Sequence, residues 1–553
     1  MSLATSTTLD LLGHASYAVA NALRPKREGN LFEQFLVVGL PPNAPTSTVS
    51  PKNPQLLKPQ ILYKYPNKDI NVEYLEHFCF PFGVEARALE RTRSCSKINE
   101  ILFGQMSQME EASNSYIFLI TKEDYLLYGI CVAQTELIEK PFTSLPMDNC
   151  GQVEPVARSR YDFVGQRCYC FLSRFPFFRL HFEVLYSILA KERLLRIAST
   201  MGVLEDENLK LHSETDQIEH LIRAYHEIGV PKETIKFQLP GELRAVEFTC
   251  PQGDEDKQFT DWGMCTLFQL VSVDNILTVF QAMLLEKQVV VVSKDLGILS
   301  AVVLSLLPLL RPFVFQGPFI PILPDALLEC LEAPVPFVYG LNQVSDDLSN
   351  TLADKYVLHL DKDFLAVPTD VTLPELPKAS KLKADLLVQQ KEIRTHRQKA
   401  NPYIPPNDHI NECLGNIIKA FKLYHGIVLH EIILQNINSP VPNLSDPTAE
   451  PEDFDFSNPD HTQGLLANIP NKYRDYMSIF LESQHFALYS EKLVDVIKKQ
   501  EVQKNSPTNS YKTKLFRFQS EANLKGLVSS LRSSFSSLGT SPQSVTVAKN
   551  VQQ

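Results

Sequence analysis

A strand made almost entirely of valine lies between two apolar helical patterns near the middle of this 553-residue chain. The strand is Gln288–Ser293, and the helical patterns run from Asp274 to about Glu286 and from Gly297 to Leu310. A strand without a polar face is typical of a sheet that helices cover on both sides. The alternation therefore predicts an α/β unit. We expect Asp274 to cap the first helix rather than to contact a partner.

The chain before this unit shows a different pattern. Phe177–Ile197 has apolar residues at helical spacing and follows a series of short apolar runs. Four of these runs are predicted strands: Phe35–Leu40, Tyr116–Thr121, Tyr125–Val132 and Arg167–Ser173. The polar residues 122–124 between the second and the third indicate a hairpin turn. This part of the sequence predicts a mostly antiparallel sheet with helices.

Changes of composition suggest where the remaining units begin and end. Thr215–Ile228 is a predicted helix in a polar connector, and Tyr356–Leu360 is a further strand. An acidic loop, Asp446–Asp460, interrupts a helical region. We divide the chain into an N-terminal extension (1–30), a first lobe (31–200), a connector (201–236), the α/β lobe (237–377), a linker helix and loop (378–409), a helical region (410–500) and a Ser-rich basic tail (501–553).

Charge is distributed unevenly along the chain. The net charge is −11, from 53 Lys and Arg against 64 Asp and Glu. Residues 501–553 contain seven basic and two acidic side chains, which gives the tail +5 and leaves −16 on the body. A general nucleic-acid binder needs a basic surface to displace counterions, so the acidic body argues against nucleic acid as a partner.

Cysteine usage and hydropathy indicate a cytosolic protein. The ten cysteines include no CxxC pair, and Cys168 and Cys170 fall on one face of a predicted strand. We interpret them as buried reduced thiols, in preference to a disulfide or zinc framework. The N-terminus lacks the pattern of a signal peptide. The longest apolar run, Ile298–Leu310, is shorter than the roughly 20 residues that cross a bilayer.

The motifs that would indicate covalent chemistry are missing from the sequence. It contains no P-loop, no GxGxxG after a strand, no HExxH, no GxSxG and no protein-kinase signature. We interpret His77 and His181 as packed core residues rather than ligands. The sequence therefore predicts no catalytic residue, no cofactor-binding residue and no metal ligand, and without further information it favours an interaction protein.

A series of segments in fixed order resembles the tripartite DENN domain family. The segments FLVVGL, LEHFCFPFGV, SYIFLITKEDYLLYGICV and RCYCFLSRFPFF resemble its upstream part. Asp274–Leu341 and Lys355–Leu365 resemble its core, and Tyr476–Tyr489 resembles its downstream part. Together these parts cover about residues 31–496. Where the family often carries tryptophan after a Pro-Phe pair, this chain has Phe315 and Gln316.

The resemblance implies both a fold and an activity. The family's fold is a longin-like N-terminal lobe with a mixed sheet, then an α/β core lobe that ends in a helical region. Its usual activity is guanine-nucleotide exchange on Rab-family small GTPases in membrane trafficking. The GTPase docks across the cleft between the lobes, and the family shares no single catalytic side chain. The resemblance thus implies a cytoplasmic exchange factor that can be peripheral on vesicle or endosomal membranes.

Two loops are candidates for contact with the GTPase. Binding sites in open α/β sheets tend to lie at the carboxyl ends of strands. Ser293, Lys294 and Asp295 follow the valine-rich strand there, although Lys294 and Asp295 can equally form a solvated turn in which Asp295 caps a helix. Phe315 and Gln316, bounded by prolines, form the second candidate, with a core position as the alternative for Phe315.

Two other functions compete with exchange activity. The first is a DENN-fold scaffold or effector that binds a GTPase without accelerating nucleotide release. The second is a GTPase-activating role, which would need an exposed arginine finger. Arg158 and Arg160 lie in a polar segment and could supply one.

The basic tail is the expected membrane contact. Its apolar residues recur at helical spacing, at Leu524, Leu527, Val528, Leu531, Phe535 and Leu538. An amphipathic helix with net positive charge can lie in the interface of an anionic membrane. A solvated or phosphorylated Ser-rich terminus is one alternative. An arm that docks back onto the body is another.

Overall fold

Two large β-sheets, one antiparallel and one mostly parallel, organise the computed structural model of this chain. The structure describes residues 29–490 except 46–48, 51–52, 69, 71, 91–113, 122–125, 139–160, 201–206, 241–244, 252–254, 370–371, 398–399, 435, 437–455 and 457. The predicted hairpin turn at 122–124, Arg158, Arg160 and the tail lie outside these residues. Within them, no helix is long and apolar enough to cross a membrane.

Seven strands form the N-terminal sheet, and every described pairing in it is antiparallel. The expected mixed sheet is therefore wrong for this lobe, whereas the antiparallel pattern read from the apolar runs is confirmed. The longest strand, β7, pairs with β1, β4 and β6, which places it at the centre. The strands are β1 Gln34–Gly39, β2 Gln55–Leu57, β3 Gln60–Tyr65, β4 Val84–Glu90, β5 Asn114–Thr121, β6 Leu126–Leu137 and β7 Tyr161–Ser173.

Helices and a small hairpin accompany this sheet. The short helix α1 spans Leu75–Cys79, and the long helix α2, Phe178–Thr200, packs against β6 and β7. The connector helix α3 spans Glu207–His226, so it begins eight residues before the predicted Thr215. The apolar residues of its first two turns, Leu209 and Leu211, are two apart, which is not helical spacing and is why apolar spacing alone missed these turns. The two-stranded sheet that follows is formed by β8 Thr234–Gln238 and β9 Ala245–Thr249.

The second large sheet confirms the predicted α/β unit. Its order is β11-β12-β10-β13-β14, with parallel pairing except at β14. All four valines of β10 are buried, because helices flank this strand in sequence and cover the sheet. The strands are β10 Val289–Val292, β11 Phe319–Ile320, β12 Val338–Leu341, β13 Tyr356–His359 and β14 Phe364–Ala366.

A chain of helices surrounds β10. It comprises α4 Asp256–Phe259, a π-helical segment Thr260–Met264, α5 Cys265–Leu270, α6 Val273–Leu284, α7 Leu296–Leu306 and a 3₁₀ turn Leu307–Leu310. Gly263 allows the π-helical segment to approach α7 closely, since a Cβ there would lie 1.9 Å from the carbonyl oxygen of Ala301. Shorter helices follow at Asp325–Glu332, Asp346–Leu348, α8 Ser349–Leu352 and Leu360–Lys362.

Asp274 does not cap helix α6, which corrects the prediction. The helix begins one residue earlier, with Ser272 at the cap position, and Asp274 instead pairs with Lys383. A distant carboxylate supplies the negative charge at this end. Asp363 Oδ1 accepts hydrogen bonds from the main-chain nitrogen of Ser272 and from Asn275 Nδ2, each at 2.9 Å.

The C-terminal part is helical, as the sequence predicts. Its helices are α9 Ala379–His396, α10 Asp408–Ile427, a π-helical segment Val428–Leu434, α11 Pro459–Asn468 and α12 Asn471–Leu481, with residues 484–490 also helical. The segment that resembles the downstream DENN part is thus two helices, because the chain turns at residues 482–483. Tyr476, Phe480 and Phe486 from both of them are buried.

The N-terminal lobe packs directly on the α/β lobe. Strand β5 lies along helix α7, where the main-chain nitrogen of Ile117 donates to Ser300 Oγ at 3.3 Å. Tyr128 Oη donates to Glu255 Oε2 at 2.7 Å. Tyr128 and Ser300 are both buried at this boundary, so the two lobes share one continuous core.

Candidate functional site

A cleft of about 570 Å³ lies where the two lobes meet. We call it the interlobe cleft. Helix α2 forms one wall, the β8–β9 region contributes to another, and the π-helical segment and the chain before α10 complete it. The lining residues are Arg179, Phe182, Glu183, Tyr186, Ser187, Ala190, Leu239, Val246, Trp262 and Tyr403. Ligand-binding clefts of this volume are typically apolar with a few polar groups, which describes this lining.

Three aromatic rings from separate parts of the chain form the floor of the cleft. Phe182 stacks on Trp262 with ring centroids 5.1 Å apart and an interplanar angle of 5°. Tyr403 meets both rings edge-on, each at 5.2 Å. Such rings bury large areas in fixed orientations, so this floor is preformed.

Polar groups at the aromatic floor are only partly satisfied. Among the described residues, no hydrogen-bond partner reaches the buried indole Nε1 of Trp262. Arg179 lies above that ring, with its guanidinium carbon 5.9 Å from the centroid, and Nη2 donates to the main-chain oxygen of Asp261 at 3.0 Å. Burial lowers the pKa of Arg179, and Asp261 opposes this effect. An unpaired buried N–H costs stability and favours an incoming acceptor.

The first predicted loop lies at the carboxyl edge of the parallel sheet. Ser293 is buried, and its Oγ donates to Asp361 Oδ1 at 3.1 Å. Asp295 caps helix α7 through a 2.9 Å bond from the main-chain nitrogen of Ile298, as the alternative interpretation expected. Lys294 is exposed, and Asn342 Nδ2 donates to its main-chain oxygen at 2.7 Å. Of the three side chains, that of Lys294 is the most available to a partner.

Gly297, in the first turn of helix α7, links the carboxyl edge of the sheet to Tyr403 of the interlobe cleft. A Cβ at Gly297 would lie 2.5 Å from the main-chain oxygen of Ser115 and 2.9 Å from Tyr403 Oη. Ser115 Oγ also lies 3.0 Å from Tyr186 Oη, which joins β5 to the cleft wall. Buried contacts at Gly297 and Ser115 therefore connect the start of α7, just after Lys294, to the cleft. We call the cleft together with Lys294 the interlobe surface.

The second predicted loop is not part of this surface. Phe315 is only 1% exposed, so it is a core residue, as the alternative interpretation expected. Gln316 is half-buried and donates from Nε2 to the main-chain oxygen of Val314 at 2.6 Å. Both residues precede β11, which places them at the amino edge of the parallel sheet, opposite Lys294. The structure does not bring the two candidate loops together.

Sequence reasoning missed the aromatic floor. Phe182, Trp262 and Tyr403 are far apart in the chain, and no motif links them. One signal was available, since Trp262 is the only tryptophan of the chain and lies at a break from regular α-helix. Such π-helical breaks often mark functional sites.

Buried cysteines cluster in the N-terminal lobe. Cys79, Cys131 and Cys168 have Sγ atoms within 4.8 Å of one another, and in the described part of the chain eight cysteines are buried outside any disulfide. Burial raises the pKa of Cys131 and Cys168 well above the usual value. The predicted burial of Cys168 and Cys170 is confirmed, and the cluster formed with Cys79 is new information.

The two histidines singled out in the sequence have different surroundings. His181 is fully buried, and its Nδ1 lies 2.9 Å from Tyr225 Oη, so its interpretation as a core residue is confirmed. His77 is only half-buried beside Tyr74. Core packing is therefore the wrong interpretation for His77, because the face of α1 that is buried carries Leu75, Phe78 and Cys79 instead.

Comparison with known proteins identifies two domains. The model of the DENN (AEX-3) domain matches residues 164–363, and that of the uDENN domain matches residues 59–133. The first range contains the parallel sheet, Trp262 and Lys294, and the second covers part of the antiparallel sheet. Both walls of the interlobe surface thus come largely from matched regions.

Curated relatives are similar over part of their length. The MAP kinase-activating death domain protein of Caenorhabditis elegans is 26% identical over 58% of this chain and 24% of its own length. A DENN domain-containing protein of Schizosaccharomyces pombe is 30% identical over 34% of this chain and 19% of its own. DENN domain-containing protein 1A of Homo sapiens is 27% identical over 38% of this chain and 19% of its own length. The matches thus span less than a quarter of each relative.

Proposed function

Because this chain belongs to the DENN domain family, we propose that it is a guanine-nucleotide exchange factor that promotes GDP release from a Rab-family small GTPase. The observation that carries the proposal is the interlobe surface, where the exposed Lys294 lies three residues before the Gly297 contact with Tyr403. The aromatic cleft there holds an indole N–H without a hydrogen-bond partner among the described residues. The antiparallel sheet with α2 packed on it fits a longin-like lobe. We infer that the exchange factor acts in vesicle or endosomal trafficking.

Exchange of this kind requires shape rather than bond-making residues. A GTPase holds its nucleotide partly through switch loops that the phosphate and Mg²⁺ order. A partner that binds the displaced switch conformation weakens nucleotide affinity, and linkage requires the nucleotide to weaken the partner equally. Binding of GTP then releases the factor. The aromatic floor suits this role, because rigid rings can hold a displaced loop without reorganising first.

Particular groups on the interlobe surface have complementary roles in this proposal. The indole N–H of Trp262 would donate to a main-chain or side-chain oxygen of a switch loop that enters the cleft. Lys294, at the adjoining edge, would pair with an acidic group outside the cleft. Because the side chain of Lys294 is exposed, its pairing would contribute more to association rate than to lifetime of the complex.

A nucleotide-release assay tests the proposal. The full-length chain is added to a panel of Rab proteins loaded with fluorescent GDP, and release is followed in excess GTP. We expect acceleration with at least one Rab. Trp262→Phe keeps the stacking on Phe182 but removes the N–H, and Lys294→Glu reverses the charge, so each should slow release about tenfold, equal to a loss of about 1.4 kcal/mol.

A matched control is available for the charge reversal. Lys419 is an exposed lysine on α10, outside the residues that line the cleft, and Lys419→Glu should leave release unchanged. Binding to a Rab without acceleration across the whole panel would support the scaffold or effector function instead. Faster GTP hydrolysis in a parallel assay would support an activating role, with Arg158 and Arg160 as the first residues to substitute.

A further inference from the structure

Glu392, His396 and His409 form a group of metal-ligating side chains outside the interlobe cleft. One ligand atom from each lies within 4.8 Å of the other two. Glu392 Oε2 is 3.3 Å from His409 Nε2 and 3.7 Å from His396 Nδ1. The imidazole rings of His396 and His409 have centroids 4.5 Å apart.

We propose that Glu392, His396 and His409 form a binding site for a divalent transition-metal ion of the zinc class, which joins the end of helix α9 to the start of helix α10. Two imidazoles and one carboxylate are a ligand set that suits Zn²⁺. Three protein ligands leave one position open for water. The site therefore has the composition of an exchangeable metal site.

Secondary structure explains why these three residues meet. Glu392 and His396 are one turn apart on α9, so their side chains lie on the same face of the helix. His409 is the second residue of α10, which packs alongside α9. The backbone therefore positions two ligands on one helix and the third on its neighbour.

The side chains need only small rotations to bind a metal. Tetrahedral Zn²⁺ with bonds of about 2.0–2.1 Å places its ligand atoms about 3.3 Å apart. The Glu392–His409 distance already has this value, and all three side chains are 42–45% exposed and therefore free to adjust. His396 Nδ1 also lies 3.0 Å from the main-chain oxygen of Glu392, so the ring has to turn away from this contact to free that nitrogen for the metal.

The local electrostatics favour a cation. Glu412 follows His409 by three residues, and both Glu392 and Glu412 add to the effect of burial in raising the pKa of nearby Cys413. Two basic neighbours are directed elsewhere, since Arg394 donates to main-chain oxygens of Phe268 and Gln269. Arg397 Nη1 likewise points to Cys265 Sγ at 3.1 Å.

The site would brace the segment that carries Tyr403. This segment begins after His396 and ends before His409, the two histidine ligands. Arg397 Nη2 bonds to the main-chain oxygen of Ile404 at 3.2 Å, and the Tyr403 ring lies 5.2 Å from Trp262. A bound metal would fix both ends of the segment and hence the position of Tyr403 in the interlobe cleft. An effect on a GTPase would rest on the proposed function, but metal binding and the position of Tyr403 do not.

Calorimetric titration of the full-length, chelator-treated chain with Zn²⁺ tests the site. We expect one Zn²⁺ to bind with an affinity that falls at least about tenfold in His396→Gln and in His409→Gln. His220→Gln, at an exposed histidine on α3, is the matched control and should bind as the unaltered chain does. Because the substituted side chains are half-exposed, circular dichroism should show folded variants. Equal Zn²⁺ affinity in the unaltered chain and in both variants would overturn the proposal, as would absence of binding.

Two spectroscopic readouts distinguish this site from the buried thiols and test whether the metal fixes the position of Tyr403. Co²⁺ substitution should give the weak absorption of imidazole and carboxylate ligands, and intense thiolate charge-transfer bands would overturn the assignment. Zn²⁺ should also change the fluorescence of Trp262, the only tryptophan, in the unaltered chain and in His220→Gln. Binding without any fluorescence change would keep the metal site and overturn its link to Tyr403. No GTPase is present in either measurement.

Discussion

Two histidines of this protein are buried in their neutral form. Burial lowers the pKa of His181 to about 3 and that of His425 to about 4. His181 Nδ1 faces Tyr225 Oη, whereas its Nε2 has no hydrogen-bond partner among the described residues. His425 Nε2 lies 3.0 Å from the main-chain oxygen of Leu309. Protonation of either ring would bury a charge without a counterion.

Acidification should therefore destabilise the protein through these two residues. Unfolded histidine titrates near pH 6.5, so below that pH the unfolded state binds more protons than the folded state. The contribution of each neutral histidine to the free energy of unfolding is fully present above pH 6.5. It is lost as the pH falls toward 4 for His425 and toward 3 for His181. At pH 5 we expect each histidine to lower the free energy of unfolding by about 2 kcal/mol relative to neutral pH.

Urea unfolding at pH 7 and pH 5 measures this loss. His181→Asn and His425→Gln keep a polar atom near the bonded ring nitrogen but do not titrate. Each variant should lose about 2 kcal/mol less than the unaltered chain between the two pH values. An identical loss in all three proteins would show that other groups control the acid response.

Two glycines should respond oppositely to the same substitution. Gly263→Ala places a Cβ 1.9 Å from the carbonyl oxygen of Ala301, so the π-helical segment must move and we expect destabilisation of about 1–3 kcal/mol. Gly415 is exposed in the middle of α10, with nothing within 4 Å of the added carbon. Gly415→Ala should stabilise by about 0.5–1 kcal/mol. Urea unfolding of the two variants checks both signs.

Single residues were predictable from sequence when their role was local. Asp295 caps the helix that follows it, and apolar spacing correctly placed His181 in the core. The prediction that Asp274 caps α6 was wrong because Asp363, 89 residues further along, accepts the hydrogen bonds at the start of this helix. Phe315 was ambiguous because a proline-bounded loop can be exposed or packed, and only the tertiary structure decides.

At the scale of elements, strands were easier to predict than helix ends. The valines of β10 have no polar alternation, so only a sheet buried on both faces suits them. The start of helix α3 was placed too late because Leu209 and Leu211, in its first turns, are not at helical spacing. The break at residues 482–483 was missed because Ser483, which fits the helical spacing, is buried at the turn and donates from Oγ to the main-chain oxygen of Phe480 at 2.6 Å.

The paired helices at the C-terminal end of the described chain should stabilise the α/β lobe. Phe480 is 1% exposed, with its ring centroid 5.3 Å from that of Phe313 and 5.2 Å from that of Phe486. Phe480→Ala removes these contacts and leaves a cavity, so we expect a loss of about 3–5 kcal/mol in the free energy of unfolding by urea.

A surface residue of the same segment provides the control. Leu488 is 46% exposed, and Leu488→Ala should change stability by about 0.5 kcal/mol or less. Similar losses for Phe480→Ala and Leu488→Ala would contradict the packing of this segment. So would a chain truncated after Pro377 that stays monomeric and resists heat as well as the full chain.

At the scale of the whole molecule, the order of segments indicated the family but not the site. Phe182, Trp262 and Tyr403 come from different units of the chain and meet only when the lobes pack together. Sequence periodicity is local, so it cannot show which distant elements will adjoin. The position of Lys294 could be predicted because the carboxyl edge of a parallel sheet follows from the α/β pattern itself, whereas its contact with a GTPase stays a prediction.

The basic tail stays a prediction, since residues 501–553 lie outside the described part of the chain. Its apolar stripe includes Leu527 and Leu531, and its +5 charge attracts anionic lipid while the −16 body is repelled. Binding to a membrane therefore has to come from the tail. We expect the peptide 513–539 to float with anionic liposomes, and Leu527→Glu and Leu531→Glu to abolish flotation, because each puts a charge into the apolar stripe.

Flotation, followed by deletion of the tail, separates its three possible roles. Flotation that needs anionic lipid and is lost in high salt would indicate a membrane contact, because salt screens the attraction of the basic side chains. A peptide that stays in the soluble fraction with anionic liposomes would contradict that role. Deletion of residues 501–553 then distinguishes the other two, since faster GDP release would identify an inhibitory arm on the interlobe cleft. Unchanged release would leave a solvated terminus, whose serines and +5 charge affect neither membrane binding nor exchange.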